Sequence, residues 1–238
     1  MGNKRYYRGT SLNMIKITLS LWDTGGQKRF DFFKTDFFKG VAVLGLVFDL
    51  SRADTFDEIN LYFKEIRKQS GNIPIFLLGN KSDLKKDVGE AISREKIIQR
   101  VNQYYLFEYI ETSALENENV ERLFHRLAIT ALLDLRPRLG EIIDPTHFRF
   151  KVLLAGAAAV GKSSLIRTFA KKEFEEDYKL TVGLDFMTQT LEFDEDEIPD
   201  ETHELIKKSI KGYKKIVKKY RKREEISEII ETLKEIQE

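Results

Sequence analysis

Gly156-Ala157-Ala158-Ala159-Val160-Gly161-Lys162-Ser163 spaces two glycines, a lysine and a hydroxyl as a phosphate-wrapping loop would. Backbone N–H groups from Ala158, Ala159, Val160, Gly161, Lys162, Ser163 and Ser164 would converge on phosphate oxygens at a helix N-terminus. Lys162 would reach the outer phosphates, and the Ser163 hydroxyl would ligate Mg²⁺. Upstream, Asn80, Lys81 and Asp83 directly follow an apolar run. The Asp83 carboxylate offers two acceptors to the adjacent N1–H and N2–H₂ donors of guanine. Facing adenine it would be left unpaired, and that discriminates strongly. Ser113, Ala114 and Leu115 would supply backbone N–H groups to guanine O6. Asp23 closes another apolar-polar alternation, so its carboxylate would face the same site and hold Mg²⁺ through water. Gly26 lets backbone approach a terminal phosphate, and Gln27 can orient an attacking water.

The elements that must carry these residues are legible. Residues 14–21 alternate apolar and polar, the mark of a strand with one wet face. Residues 41–48, 73–79 and 151–155 are continuous apolar runs, as strands covered on both faces require. Residues 106–111 add a strand, and 181–193 alternate like an edge strand that pairs with 14–21. Helical periodicity fills 55–69, 93–103, 120–133 and 162–172. Strands alternating with helices predict a doubly wound, mostly parallel six-stranded α/β sheet. Asn80 and Asp83 then fall at a strand's C-terminal end, where open α/β sheets bind ligands.

Composition narrows the class. The apolar share of 42% over 238 residues supports one domain with an appendage. A formal net charge of +1 argues against a nucleic-acid partner, and no run approaches the roughly 18 apolar residues of a transmembrane helix. With no cysteine, thiolate catalysis, disulfides, prenylation and palmitoylation are excluded for these residues. A cytoplasmic protein is expected.

Taken together the motifs resemble the Ras superfamily of small GTPases, and the Rab branch most closely. Trp22-Asp23-Thr24-Gly25-Gly26-Gln27-Lys28-Arg29-Phe30 is similar to the Rab switch II, and Thr181-Val182-Gly183-Leu184-Asp185-Phe186 to switch I. The resemblance implies a P-loop GTPase fold with GTP and GDP as substrate and product. It makes Thr181 a second Mg²⁺ ligand, Phe174 an aromatic stacked on guanine and Tyr178 a cover over the phosphates. Protein effectors and regulators would engage the two switches. Departures are few: Ala158 stands where Ras has Gly, so its Cβ would crowd an incoming arginine finger, and Leu115 replaces a Lys. The motif order is unusual, because the phosphate loop follows the base motifs. Only a circular permutation of the family fold gives that order, with the cut between switch I and switch II. The expected layout is a permuted GTPase domain at 1–199 (12–135, linker 136–147, then 148–194) followed by a charged amphipathic helix at 200–238. A non-hydrolysing, GTP-binding scaffold that acts through that helix is the alternative function.

The helix itself places Ile206, Ile210, Tyr213, Val217 and Tyr220 on a heptad seam. Ten basic residues and no acid lie from Lys207 to Arg223; six acids lie from Glu224 to Glu238. Four uses fit: a solvated face, packing on its own domain, peripheral docking on an anionic membrane, or antiparallel self-association. The last also accounts for the acidic half.

Overall fold

The computed structural model describes residues 14–24, 38–85, 91–134, 147–171 and 184–194. Gly26, Gln27, Phe174, Tyr178, Thr181, linker residues 136–146 and the helix 200–238 lie outside the described residues. The chain divides into two compact units. One joins Met1–Ile15, Arg136–Phe148 and Phe193–Glu238, of which only short strand ends are described. The other, Lys16–Leu135 with Arg149–Glu192, holds every described site residue.

In chain order the elements are β1 Met14–Thr24, β2 Val41–Asp49, α1 Ala53–Asp57, α2 Ile59–Ser70, β3 Ile75–Asn80, α3 Arg94–Tyr104, β4 Tyr109–Thr112, α4 Val120–Leu133, β5 His147–Gly156, α5 Lys162–Lys171 and β6 Leu184–Asp194. They build one six-stranded sheet in the order β4-β3-β2-β5-β1-β6. β2 runs parallel to both β3 and β5, and β3 runs parallel to β4. β6 lies beside β1, as the alternation at 181–193 predicts. Across that pair Lys16 meets Glu192, Thr18 meets Thr190 and Trp22 stacks on Phe186. The partner numbers fall as the β1 numbers rise, which is an antiparallel register.

The continuous apolar runs become the central strands. Every residue of β3 is buried, and in β2 all but Ala42 are. Helices cover both faces, which is why these strands need no polar alternation. α4 shows the complementary helical pattern: Val120, Leu123, Phe124, Leu127, Ala128 and Ala131 are buried at three- and four-residue spacing. Phe124 stacks on Phe169 of α5 with ring centroids 4.1 Å apart. Each such side chain contributes roughly 1.5–3 kcal/mol when taken fully from water.

Among the boundaries that differ from the sequence expectation, three have a local cause. The helix expected over 55–69 begins at Ala53 and is interrupted at Glu58, whose ψ of −19° is the tighter 3₁₀ geometry. β5 starts at His147, before the apolar run, because Phe148 and Phe150 turn inward alternately with exposed Arg149. β4 starts at Tyr109 rather than at 106. The residues before it finish α3: Leu106 N–H donates to Val101 O and Tyr105 N–H to Asn102 O, a Schellman closure.

Tyr105 holds the left-handed position of that closure at φ 50° while 90% exposed. Its ring contributes little burial and its Cβ is strained. Tyr105→Gly is therefore expected to stabilise the protein by about 1 kcal/mol. A urea midpoint that rises at constant m-value would bear this out.

Candidate functional site

The C-terminal ends of β2, β3, β4 and β5 stand side by side, and the loop from β5 into α5 curls over them. Two glycines fix that curl. Gly156 has φ 143°, and a Cβ there would lie 2.1 Å from Val47 O on the neighbouring strand. Gly161 has φ 95°, and its Cβ would lie 2.2 Å from Asn80 Nδ2. Ala159 adopts φ 64° between them. The path needs backbone conformations that side chains resist, so the glycine spacing is dictated by geometry. α5 begins at Lys162, and Leu165 N–H donates to Gly161 O at 2.9 Å. The N–H groups of the first turn have no helical acceptor.

Lys162 lies inside this curl, 5% exposed, with Nζ donating to Gly156 O at 3.0 Å and to Ala157 O at 2.8 Å. Burial pushes its ammonium down to about 8, while the Asp23 carboxylate pulls the other way. Two carbonyls and a nearby carboxylate hold a desolvated cation here. An anion entering the curl would offset that desolvation. Ser163 Oγ donates to Asp23 Oδ2, joining the helix start to the end of β1. Asp23 is itself buried. A hydroxyl and a carboxylate at the mouth of a phosphate-shaped loop are hard oxygen donors, the set Mg²⁺ takes alongside substrate phosphates. The residues present fit that ion.

The residues expected to recognise a base are tied to the loop. Asn80 Nδ2 donates to Val160 O at 2.8 Å, and Asn80 Oδ1 accepts from Thr112 Oγ1 at 3.1 Å. One buried amide thus pins β3, β4 and the phosphate loop to one another. Lys81 follows in a left-handed conformation, φ 65° and ψ 44°, and its Nζ lies 2.7 Å from Asp49 Oδ2. Asp83 sits in a 3₁₀ turn, Ser82–Leu84, where its Oδ1 accepts from Ser113 Oγ at 2.5 Å. Ser113 N–H is already donated to Glu118 O at 3.1 Å, so the N–H groups expected to reach guanine O6 narrow to Ala114 and Leu115. Ala114 is buried and its carbonyl accepts from Thr168 Oγ1 of α5; Leu115 is half exposed.

The structure therefore brings together Asp23, Asn80, Lys81, Asp83, Ser113, Ala114, Leu115 and the loop Ala158–Ser164 from separate parts of the chain. It also shows supports that the sequence reading passed over. Asp49, Thr112, Thr168 and Glu118 each anchor a candidate site residue, Glu118 through its backbone bonds to Ser113. Asp49 was within reach, since it ends an apolar strand at the same sheet edge as Asn80. Thr112 and Thr168 depend on contacts that are distant in sequence, and Glu118 on a local bridge back to Ser113.

The profile of the Ras family matches residues 1–132 and 151–203, which is most of the chain. Among curated proteins, Ras-related protein YPTC6 of Chlamydomonas reinhardtii is 33% identical over 150 residues, 55% of this chain and 67% of that protein. Ras-related protein Rab-10 of Diplobatis ommata is 35% identical over 120 residues, 48% of this chain and 56% of that protein. GTP-binding protein ypt4 of Schizosaccharomyces pombe is 32% identical over 131 residues, 55% of this chain and 54% of that protein. The chain thus spans roughly half to two thirds of the length of these relatives. With the profile matched on both sides of residues 133–150, and with a sheet whose ends gather the phosphate loop and base motifs, the chain belongs to the Ras family, on its Rab-like side.

Proposed function

We propose that this chain is a Mg²⁺-dependent guanine-nucleotide switch that hydrolyses GTP slowly to GDP and phosphate, with the segments around Gln27 and Thr181 as its effector surface. One observation carries the reading: Asn80 hydrogen-bonds Val160 O, so the base motif and the phosphate loop form a single rigid cradle. Lys162 and the first turn of α5 would hold the phosphates. Asp83, kept in place by Ser113, would take the guanine edge. Ser163 and Asp23, with Thr181, would hold Mg²⁺, which offsets phosphate charge when bound. Phe174 and Tyr178 would close over base and phosphates. Gln27 would orient water for attack on the γ-phosphorus as the bond to the GDP oxygen breaks.

The strand positions support the permuted reading as well. β5, fifth in the chain, occupies the middle of the sheet between β2 and β1, with the phosphate loop at its end. β6 and β1, the two strands next to the switch segments, are sheet neighbours at opposite ends of the described sequence. Residues 200–238 are assigned to helix-mediated self-association, on the alternation of basic and acidic halves.

Base choice is the direct test. Asp83→Asn should move preference from GTP towards xanthosine triphosphate, whose C2 carbonyl accepts where guanine donates. A GTP affinity unchanged in that variant would sink the assignment. A single-turnover phosphate-release assay then separates a hydrolase from a scaffold that only binds.

A further inference from the structure

Asp49 is a buried carboxylate that no motif accounts for. It ends β2 with its side chain 1% exposed. One oxygen is locked from its own loop: Oδ1 accepts Ser51 N–H at 2.9 Å and Ser51 Oγ at 2.6 Å. Asp49 N–H donates to Thr55 Oγ1 at 3.0 Å, which fixes the backbone as well. Oδ2 faces Lys81 Nζ at 2.7 Å and has no hydrogen-bond donor besides that ammonium among the described residues. A buried carboxylate held this rigidly is a fixed point. The lysine that meets it is 31% exposed and stands in left-handed backbone between Asn80 and Asp83.

From this geometry we infer that Asp49 is a positioning residue for the nucleotide site: it aims Lys81 so that the lysine's methylene stem walls the base pocket. The inference rests on the nucleotide-binding reading. A free lysine samples many rotamers and its ammonium is drawn towards phosphate or solvent. Pairing with a locked, buried carboxylate removes both alternatives before ligand arrives. The stem is left as an apolar surface two residues before Asp83 in the chain. The partner it prepares for is the planar base of a guanine nucleotide.

The test is the release rate of GDP from full-length protein. Wild type should retain GDP after purification; failure to do so would count against the nucleotide-binding reading itself. Asp49→Asn keeps acceptors for Ser51 while removing the charge that faces Lys81. It should release GDP about tenfold faster, with a melting temperature close to wild type. Lys81→Met should accelerate release by a similar factor, and the double variant should be no faster than Lys81→Met alone. Ser51→Ala, which removes the hydroxyl that locks Asp49 Oδ1, should speed release in the same direction by about threefold, and not at all once Lys81 is methionine. If Asp49→Asn fails to fold, Ser51→Ala with and without Lys81→Met still decides. Wild-type release from Asp49→Asn, multiplicative effects in the double variant, or wild-type release from Ser51→Ala would each overturn the inference.

Discussion

Gly156→Ala should cost at least ~4 kcal/mol of stability, enough to leave much of the protein unfolded at physiological temperature. Its Cβ would sit 2.1 Å from Val47 O and 3.1 Å from Val47 C. Those are backbone atoms of a central strand, so the neighbour cannot swing aside as a side chain would. The residue also holds φ 143°, which a side chain resists even where there is room. Gly71 supplies the control. It too has positive φ, 66°, but nothing lies within 4 Å of its Cβ. Gly71→Ala should therefore cost only about 1 kcal/mol, the backbone term alone. Chemical denaturation of the two variants beside wild type separates collision from strain. Equal losses in the two would show that the approach of β5 to β2 is not what demands glycine.

Lys162→Met should lower triphosphate affinity by at least a hundredfold, roughly 2.7 kcal/mol, while leaving the nucleotide-free protein as stable as wild type or more so. The two effects part because of how the lysine is held. Its ammonium is buried against two carbonyl oxygens, and burial has already pushed its proton affinity down to about 8. The unliganded fold bears the cost of desolvating that charge, which Asp23 and the two carbonyls offset in part and an anion in the curl would offset further. Methionine fills a similar volume without a charge to desolvate. Titration calorimetry with GTP and a thermal melt without ligand give the two readings. A large fall in the melting temperature of the free variant would mean that the lysine serves mainly as a structural tie between loop and strand.

These contrasts also mark where sequence information ends. The phosphate loop was legible because its constraints are local. Two glycines, a lysine and a serine at fixed spacing, between an apolar run and a helical pattern, describe one strand–turn–helix unit. The central strands were legible for a related reason: burial on both faces leaves runs such as Val43–Phe48 without polar residues. β6 could be placed beside β1 because both alternate, as a sheet margin does. Boundaries were harder. Leu106 reads as the start of a strand by composition, yet its N–H closes a helix, and no local pattern ranks those two uses of one apolar residue.

What only the tertiary structure decided is which polar groups meet. Asn80 and Val160 are 80 residues apart, Ser163 and Asp23 are 140 apart, and each pair shares a hydrogen bond. The sequence named all four residues as site residues but not these bonds. Asp49 can be placed from the sequence at the polar end of a strand, but its partner is known only when Lys81 is found 2.7 Å away. Secondary structure follows from periodicity, which a short window contains. Partnership of buried charges follows from sheet order, which brings the ends of β2, β3, β4 and β5 together and exists only once the chain has folded.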